Sequence, residues 1–436
     1  MLHNERTENM DYQTAREFIN NVSKKGSILG LESIKRLMDK LGNVQDELKV
    51  VHIAGTNGKG STLAYMLSVL KVAGYKTGRY NSPAVFDCLE VFSINGENIS
   101  RDDYAKYMTI IKEKCDEIVN EGFEMPTYFE VETAFAYKYF YDKKCDVVLI
   151  ETGMGGDYDA TNVVNNTILS ILSSISMDHM QFLGNTIEEI AYHKSGIIKN
   201  GSRVITAIQD ERAMNVIRKT AEEKNAEIYV MKEPYNIRYE ENRTLFDYDE
   251  MKDLETPLRG TFQVINAGLA ISALRILGKT SFNITDNNIR TGIKNTIWHG
   301  RFEKLSDAPL IYLDGGHNPG AAEYIRKSIE IYFTNRKIVY IIGVLADKDY
   351  DTVLRKTADL ASSIITVTPP KNSRALSGDD LRKTALKYNS NVLYEENITD
   401  AVKTAVKTAG SDGGIMIFGS LSYLSEIEKT LRGDLL

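Results

Sequence analysis

The stretch HIAGTNGKGSTLAYML, residues 52–67, places a glycine-rich loop between an apolar run and a run with helical spacing. The residues that lead into the loop, LKVVHIAG, are apolar and rich in β-forming valine and isoleucine. After the loop, STLAYMLSVL sets apolar side chains on one face of a helix, at positions 63, 66, 67 and 70. The order strand, glycine loop, helix predicts a phosphate-binding loop at a helix N-terminus.

Such a loop needs inward-pointing backbone N–H groups and a lysine that reaches the outer phosphates. The candidate nucleotide-binding residues here are Gly55, Thr56, Asn57, Gly58, Lys59, Gly60, Ser61 and Thr62. The pattern departs from GxxxxGK[ST], because Ile53 stands at the first glycine and Gly60 follows Lys59. A glycine-rich turn with a solvated lysine is the structural alternative. By itself the loop does not separate a kinase, an ATPase, a GTPase and a ligase.

The bulk properties limit the class of protein. At 436 residues the chain exceeds the size at which single cores stop growing, so we expect two domains. The net charge of −7 argues against nucleic acid as the main partner, and three cysteines without a CxxC pair fit reduced thiols. MLHNERTENMDYQ lacks the apolar core of a signal peptide, and no stretch approaches a membrane span. We expect a cytoplasmic monomer that binds neither nucleic acid nor membrane.

Strand-like and helix-like segments alternate along the chain, which predicts mostly parallel sheets covered by helices. CDVVLIETG and TILSIL continue the first sheet. The alternation restarts after about residue 297, with strands expected at 311–314, 338–345, 363–368, 391–395 and 414–420. We therefore predict an α/β protein with a P-loop mononucleotide-binding domain (1–297) and a smaller, Rossmann-like α/β domain (298–436).

Two ionisable side chains stand out beyond the loop. Glu151 follows a strand of buried type, where ligands usually meet open α/β sheets, although an isolated glutamate there is more often solvated. Thr186 and Glu189 form a capping-box pattern, so a helix should begin there. Within it Lys194 falls on the apolar stripe, where an ammonium needs a partner or loses its charge. A lysine that snorkels to solvent is the alternative.

GTNGKGST is similar to the signature of the Mur ligase superfamily, and with VVHIA before it the chain most resembles the folylpolyglutamate synthase/dihydrofolate synthase family. The run from Asp178 to Lys199 resembles the motif DHxxxLGxTxxxIAxxKAGIIK, whose first lysine is typically carbamylated. The resemblance implies catalytic roles for Lys59, Glu151, His179 and Lys194. It further implies metal ligation by the residues Ser82, Glu151, His179 and carbamylated Lys194.

Motifs of the same family continue downstream. The segments GTFQVINAG, WHGRFE, DGGHNP and GVLADKDY carry over a set of residues: Gln263, Asn266, Arg301, Asp314, His317, Asp347 and Lys348. The resemblance implies nucleotide contacts for Asn266, Arg301, Asp314 and His317, and a substrate cleft that includes Gln263 and Lys348. Asp157, Asp159, Thr161 and Asp347 are further candidates for that cleft. For Asp314 a tight turn capped by the carboxylate is an equal alternative.

The implied activity is the ATP-dependent ligation of L-glutamate to dihydropteroate, to the γ-carboxylate of a folate, or to both. ATP would convert the acid to an acyl phosphate, which the amino group of glutamate attacks. The implied cofactors are Mg²⁺ at two sites and a monovalent cation such as K⁺. Domain closure over the cleft is expected, because water would hydrolyse the acyl phosphate.

Departures from the family pattern concern the substrate more than ATP. Ala84 replaces a usual histidine, Val91 a usual arginine, Phe262 a usual histidine, and Asp157 the arginine of GGRxDATN. An aspartate would repel an anionic substrate that arginine would bind. A divergent ligase that joins an amino acid to a different carboxylic acid is therefore the main alternative. A P-loop ATPase or a nucleotide-binding regulator shares only part of these motifs.

Overall fold

A computed structural model of the chain describes residues 9–23 and 30–434. The first eight residues of the segment used above to argue against a signal peptide lie outside this part. The described α-helices are α1 (Tyr12–Ser23), α2 (Glu32–Lys40), α3 (Lys59–Val72), α4 (Arg101–Asn120), α5 (Tyr128–Asp142), α6 (Met180–Leu183), α7 (Ile187–Ser195), α8 (Glu211–Glu223), α9 (Gln263–Gly278), α10 (Asp286–Lys294), α11 (Pro319–Tyr332), α12 (Tyr350–Thr357), α13 (Gly378–Ala385), α14 (Ile398–Ala409) and α15 (Leu424–Asp434).

The strands fall into three sheets. They are β1 (Val50–Ala54), β2 (Thr77–Tyr80), β3 (Phe92–Ile94), β4 (Glu97–Asn98), β5 (Val147–Glu151), β6 (Leu169–Leu172), β7 (Arg203–Thr206), β8 (Glu227–Val230), β9 (Tyr235–Tyr239), β10 (Thr244–Tyr248), β11 (Met251–Thr256), β12 (Glu303–Asp307), β13 (Leu310–Leu313), β14 (Ile338–Ile342), β15 (Ser363–Thr366), β16 (Val392–Tyr394) and β17 (Gly414–Phe418).

The first sheet has the order β4-β3-β2-β5-β1-β6-β7-β8, and only β3 and β4 run antiparallel to their neighbours. Strand β1 lies between β5 and β6, and all five of its residues are buried. Its carboxyl end therefore opens between the ends of two further parallel strands. This is the place where ligands bind in open α/β sheets.

Helix α3 begins at Lys59, as the glycine loop predicts. The one-sided apolar face expected for it is wrong, because the helix is buried on nearly every side, including its polar Ser61 and Thr62. Helices α9 and α10, far along the chain, cover its outer side. The contact is close: an added Cβ at Gly292 would lie 2.4 Å from Cα of Val69.

The second large sheet has the order β12-β13-β17-β14-β15-β16, with only β12 antiparallel. Apolar clusters cover both its faces, and a separate three-stranded antiparallel sheet (β9, β10, β11) packs by Phe246 and Leu254 into the core below the first sheet. The predicted α/β class with two mostly parallel sheets is confirmed. The domain limits 1–297 and 298–436 stay a prediction. Among the described helices, none is long and apolar enough to cross a membrane.

Candidate active site

A pocket lies where the carboxyl ends of the first sheet meet the loops of the second. The residues that line it and were predicted from the sequence are Thr56, Asn57, Gly58, Lys59, Gly60, Ser61, Ser82, Glu151, His179, Asn266, Arg301, Asp314 and His317. Gly55, Thr62 and Lys194 are buried beside this lining rather than on its surface. The structure therefore brings motifs separated by up to 260 residues into one cavity.

The glycine loop needs its glycines because other residues approach it closely. Gly58 has a φ of +89°, and an added Cβ would lie 2.3 Å from Oδ1 of Asn266. At Gly60 an added Cβ would lie 2.7 Å from the Trp298 ring. Side chains at either position would displace groups that line the pocket. The loop therefore presents its backbone, and not side chains, to a bound anion.

Lys59 and Glu151 face each other across the loop. Nζ of Lys59 donates to the carbonyls of Gly55, at 3.1 Å, and Thr56, at 3.4 Å, and lies 3.9 Å from the Glu151 carboxylate. Burial raises the pKa of Glu151, and the charges of Lys59 and Arg301 oppose that shift. No hydrogen bond to the Glu151 oxygens occurs within the described residues, so their lone pairs remain available to a cation.

Lys194 is buried, as its place on the helical stripe predicts, with 3% of its surface exposed. The ammonium does not snorkel to solvent, because Nζ donates to the Gly55 carbonyl at 3.0 Å. Burial lowers the pKa of Lys194 to about 7, and the nearby positive charge of Lys59 adds to this shift. A large fraction of the molecules therefore has a neutral Lys194 at physiological pH. The neutral form is the one in which an amine reacts with CO₂.

A polar network joins the two sheets beside His179. The Asp178 carboxylate accepts from Nζ of Lys348 at 2.7 Å and from Nδ2 of Asn318 at 3.2 Å. Burial raises the pKa of Asp178, but the neighbouring His317, whose Nε2 lies 3.8 Å from the carboxylate, and the charge of Lys348 outweigh it and hold the pKa far below its usual range. Burial also lowers the pKa of His179 to about 4, with the charge of Lys348 acting in the same direction. His179 is therefore neutral at pH 7 and able to ligate a metal.

The second sheet contributes the opposite wall of the pocket. Asp314 caps the expected turn, since its oxygens accept from the N–H groups of Phe302 (2.8 Å) and Gly316 (2.6 Å). The residue also lines the cavity, and its contact with a nucleotide stays a prediction. Burial raises the pKa of Asp314, and the charge of Arg301 opposes this. Asn318 exchanges two hydrogen bonds of 3.1 Å with Asn57 of the glycine loop. The second sheet is thus fixed directly to the loop.

None of the six candidates for the substrate cleft lines this pocket, among the residues that the structure describes: Asp157, Asp159, Thr161, Gln263, Asp347 and Lys348. Lys348 bonds to Asp178, which does line it. Each of the other five also has a partner. Asp157 pairs with His193 at 2.8 Å, and Asp347 pairs with Arg374. Asp159 accepts from the backbone N–H groups of Met154 and Thr161, while Thr161 bonds His52. Gln263 is buried and accepts from Asn266. These side chains bond to neighbouring groups and do not line the pocket. The sequence alone does not distinguish these two roles.

Sequence reasoning missed Asp178, Asn318 and Trp298 as residues of the site. The first two stand next to predicted residues, in MDHM and GHNP, so adjacency to His179 and His317 was the available signal. Trp298 is the chain's only tryptophan and precedes the WHGRFE arginine. Its contact with Gly60 depends on the packing of the two sheets, which no local pattern encodes.

The donor set fits a magnesium ion shared with phosphates. Within the described residues no group of three or more His, Cys, Asp or Glu side chains could hold a metal by itself. Mg²⁺ usually takes one or two protein oxygens and completes its shell with water and phosphate oxygens. The Glu151 carboxylate and the Ser82 hydroxyl line the pocket together beside the loop and supply such oxygens.

Comparisons with known proteins agree with this geometry. The Mur ligase middle domain matches residues 53–274, and the Mur ligase glutamate ligase domain matches residues 300–421. The chain is 35% identical to the dihydrofolate synthase/folylpolyglutamate synthase of Bacillus subtilis, over 97% of this chain and 99% of that protein. It is 32% identical to the folylpolyglutamate synthase of Lacticaseibacillus casei, over 92% of this chain and 94% of that protein.

Solved structures give the same result. The folylpolyglutamate synthase of Mycobacterium tuberculosis, complexed with ADP and AMPPCP, superposes with a TM-score of 0.90 at 27% identity, covering 97% of this chain and 99% of that one. The Escherichia coli FolC in complex with DHPP and ADP superposes with a TM-score of 0.85 at 27% identity, covering 97% and 98%. The chain belongs to the folylpolyglutamate synthase/dihydrofolate synthase family of the Mur ligase superfamily.

Proposed function

We propose that this protein is an ATP-dependent ligase that forms an amide between L-glutamate and a pterin acid, through an acyl phosphate and with release of ADP and phosphate. The acid is dihydropteroate, the γ-carboxylate of a folate, or both. One observation carries the proposal: the glycine loop with Lys59 and Glu151 faces Arg301 and His317 across a single pocket. Both walls present groups that suit a triphosphate.

The chain's own residues account for phosphoryl transfer by position and charge. The loop N–H groups and Lys59 lie where they can hold the outer phosphates, and Arg301 approaches from the opposite wall. These charges offset the negative charge that builds on the transferring group, which is how enzymes accelerate this step. Mg²⁺, held by Glu151 and Ser82 with phosphate oxygens, would add further positive charge there.

The second half of the reaction needs a dry site, because water competes with the glutamate amine for the acyl phosphate. The Asn57–Asn318 pair and the Asp178–Lys348 ion pair connect the two walls on one side of the pocket. Both members of the ion pair are buried, with side chains 8% and 5% exposed. These contacts support a closed form of the cleft as the reactive one.

The finer assignments belong to the same proposal. His179 and a carbamate on Lys194 would supply ligands for a second Mg²⁺, because Lys194 is buried and has a pKa near 7. A role for K⁺, the monomeric state and the cytoplasmic location stay predictions from the sequence.

The test is a phosphate-release assay with ATP, Mg²⁺, L-glutamate and either 7,8-dihydropteroate or tetrahydrofolate, with mass spectrometry of the products. We expect release that requires both glutamate and acid, and a product one glutamyl residue heavier than the acid. Phosphate release that is indifferent to glutamate would identify a plain ATPase. Release with glutamate and an unrelated acid alone would identify the divergent ligase.

A further inference from the structure

A second pocket adjoins the one that holds the glycine loop. Four residues line both and form the border between them: Ser82, Pro83, Glu151 and Arg301. From this border it extends under Val85 and Phe86, along helix α3 as far as Lys71, and against Trp298. An acid that reaches the outer phosphate at Glu151 therefore has room for the rest of its structure here.

Arg79, at the carboxyl half of β2, lines this second pocket and is 7% exposed. No carboxylate of the described residues lies within 4.0 Å of its guanidinium, and its Nε has no hydrogen-bond partner among the protein groups. A buried charge is normally paired, because its removal from water is costly. Burial lowers the pKa of Arg79 only to about 10, so the side chain stays charged at neutral pH.

The neighbours of Arg79 leave its N–H groups free. The guanidinium lies 4.7 Å from the centre of the Trp298 ring, a contact that satisfies its face but not the donors at its edge. Glu90, which with Glu151 raises the pKa of Arg79 by its charge, accepts instead from the N–H groups of Val85 and Phe86. Trp298 Nε1 and Asn81 Oδ1, on side chains that line the same pocket, are also buried without a partner.

The position of Arg79 also bears on the missing arginine of the family pattern. Val91, which stands where the family often has arginine, is buried and directly precedes β3, the strand that pairs with β2. Arg79 lies opposite Ser93 in that pairing, two residues along from Val91. Arg79 thus places a guanidinium in the second pocket, on the strand that pairs with the one after Val91.

We propose that Arg79 binds a carboxylate of the acid substrate that is not itself activated, and so selects acids that already carry a glutamyl residue. This inference rests on the proposed function. Dihydropteroate has one carboxylate, which the reaction consumes, whereas a folate has an α-carboxylate next to the reacting γ-carboxylate. Only the folate offers Arg79 an anion after the reacting group has reached Glu151. A planar guanidinium binds such a carboxylate through two parallel hydrogen bonds.

The test compares tetrahydrofolate with 7,8-dihydropteroate in calorimetric binding to the wild type and to Arg79→Gln. We expect the wild type to bind tetrahydrofolate about 10- to 100-fold more tightly than dihydropteroate, the range for a charge-assisted hydrogen bond. Arg79→Gln should lose this margin, and Arg79→Lys should recover part of it. In the ligase assay, Arg79→Gln should raise the ratio of KM for tetrahydrofolate to KM for dihydropteroate by a similar factor.

Arg36, on α2, supplies the control. Its guanidinium lies 3.7 Å from the centre of the Phe123 ring, and Arg36 lines neither pocket. Arg36→Gln should keep the wild-type margin. A margin that is absent in the wild type, or unchanged in Arg79→Gln, overturns the role of Arg79 while leaving ligase activity intact. If the wild type ligates neither acid, the proposed function fails, and the binding margin still decides the inference.

Discussion

Two lysines of one motif, five residues apart, have similar hydrogen bonds but different surroundings: Lys194 is buried and Lys199 is partly buried. Lys194 and Lys199 each donate to a backbone carbonyl, at 3.0 Å and 3.1 Å, and burial lowers their pKa values to about 7 and about 8. The carbonyl that Lys194 contacts belongs to Gly55 in the glycine loop. The carbonyl that Lys199 contacts belongs to Asn162, in a loop that does not line the pocket.

The difference teaches that burial and a shifted pKa do not by themselves identify a functional lysine. A partly buried lysine can also connect two segments by a hydrogen bond, as Lys199 does after α7. The distinguishing property is the partner, because the Gly55 carbonyl also accepts from Lys59 and so places Lys194 beside the lysine of the glycine loop. Lys348 is a third case, with a carboxylate as partner. The three lysines predict effects of different kinds and sizes.

Replacement of the two motif lysines should give the largest contrast. Lys194→Met removes the amine that would carry the carbamate, and we expect turnover to fall by at least about 10³-fold, typical of a lost group that acts in the transition state. Lys199→Met, the matched control, should keep kcat within about threefold. The glutamate- and acid-dependent release of phosphate measures both.

Rescue distinguishes chemistry from packing at Lys194. Lys194→Ala leaves space, so a short carboxylic acid added to the assay should restore part of the turnover by replacing the carbamate oxygens. No rescue of Lys199→Ala is expected under the same conditions. If Lys194→Met turned over at the wild-type rate, the lysine would be structural and the comparison between the two lysines would collapse.

The Asp178–Lys348 pair should give the next largest effect. Either Asp178→Asn or Lys348→Met leaves one buried charge without its partner, a change that costs about 3–5 kcal/mol for buried pairs. We expect kcat/KM to fall about 10- to 100-fold through a less populated closed form. The double variant should be less impaired than the sum of the two single losses in free energy, as measured in a double-mutant cycle. Strict additivity would show that the pair does not act as a unit.

Sequence reasoning reached the fold class and the groups at strand ends because both depend on local patterns. The glycine loop, the capping box at Thr186 and the apolar stripe of α7 are each encoded within ten residues. The family resemblance supplied Arg301 and His317, whose roles no local pattern around them reveals. These successes concern residues whose environment is set by their own element.

The missed features depend on segments that meet only in three dimensions. The outer face of α3 is buried because α10, more than 200 residues away, packs on it through Gly292. Asp178 is part of the site because Lys348 and Asn318 approach it from the second sheet. Likewise, neither the amphipathic pattern nor the sequence motif predicts which carbonyl a buried lysine will contact.

The pH dependence of stability should distinguish Lys194 from an ordinary lysine by a smaller amount. In the unfolded chain a lysine keeps its proton up to about pH 10.4, whereas Lys194 in the folded chain releases it above about 7. Between these values the unfolded state binds more protons, so the penalty for burying the lysine shrinks and the free energy of unfolding rises with pH, by up to about 1.4 kcal/mol per pH unit. Urea unfolding at pH 7 and pH 9 should show this gain for the wild type relative to Lys194→Met. Equal slopes for the two proteins would show that the amine is not desolvated.

Asp157 should give the smallest effect, although it is the most conspicuous departure from the family pattern. The sequence suggested that an aspartate there would repel an anionic acid, so that Asp157→Arg would improve its use. In the structure the Asp157 carboxylate lies 2.8 Å from Nδ1 of His193. The backbone N–H of Asp157 donates to the carbonyl of His193, the residue before Lys194. We therefore expect KM for tetrahydrofolate to change by no more than about threefold in Asp157→Arg, in the range of a partly exposed polar pair.

The control for that position is His193→Gln, which removes the same ion pair without adding a cation. If the pair only holds the loop against α7, both variants should shift the urea midpoint alike and leave the preference between the two acids unchanged. A gain in tetrahydrofolate use that is confined to Asp157→Arg would mean that the loop moves when substrate binds and brings residue 157 to the acid. That result would transfer the recognition of the acid from the second pocket, where Arg79 lies, to the loop beside Lys194.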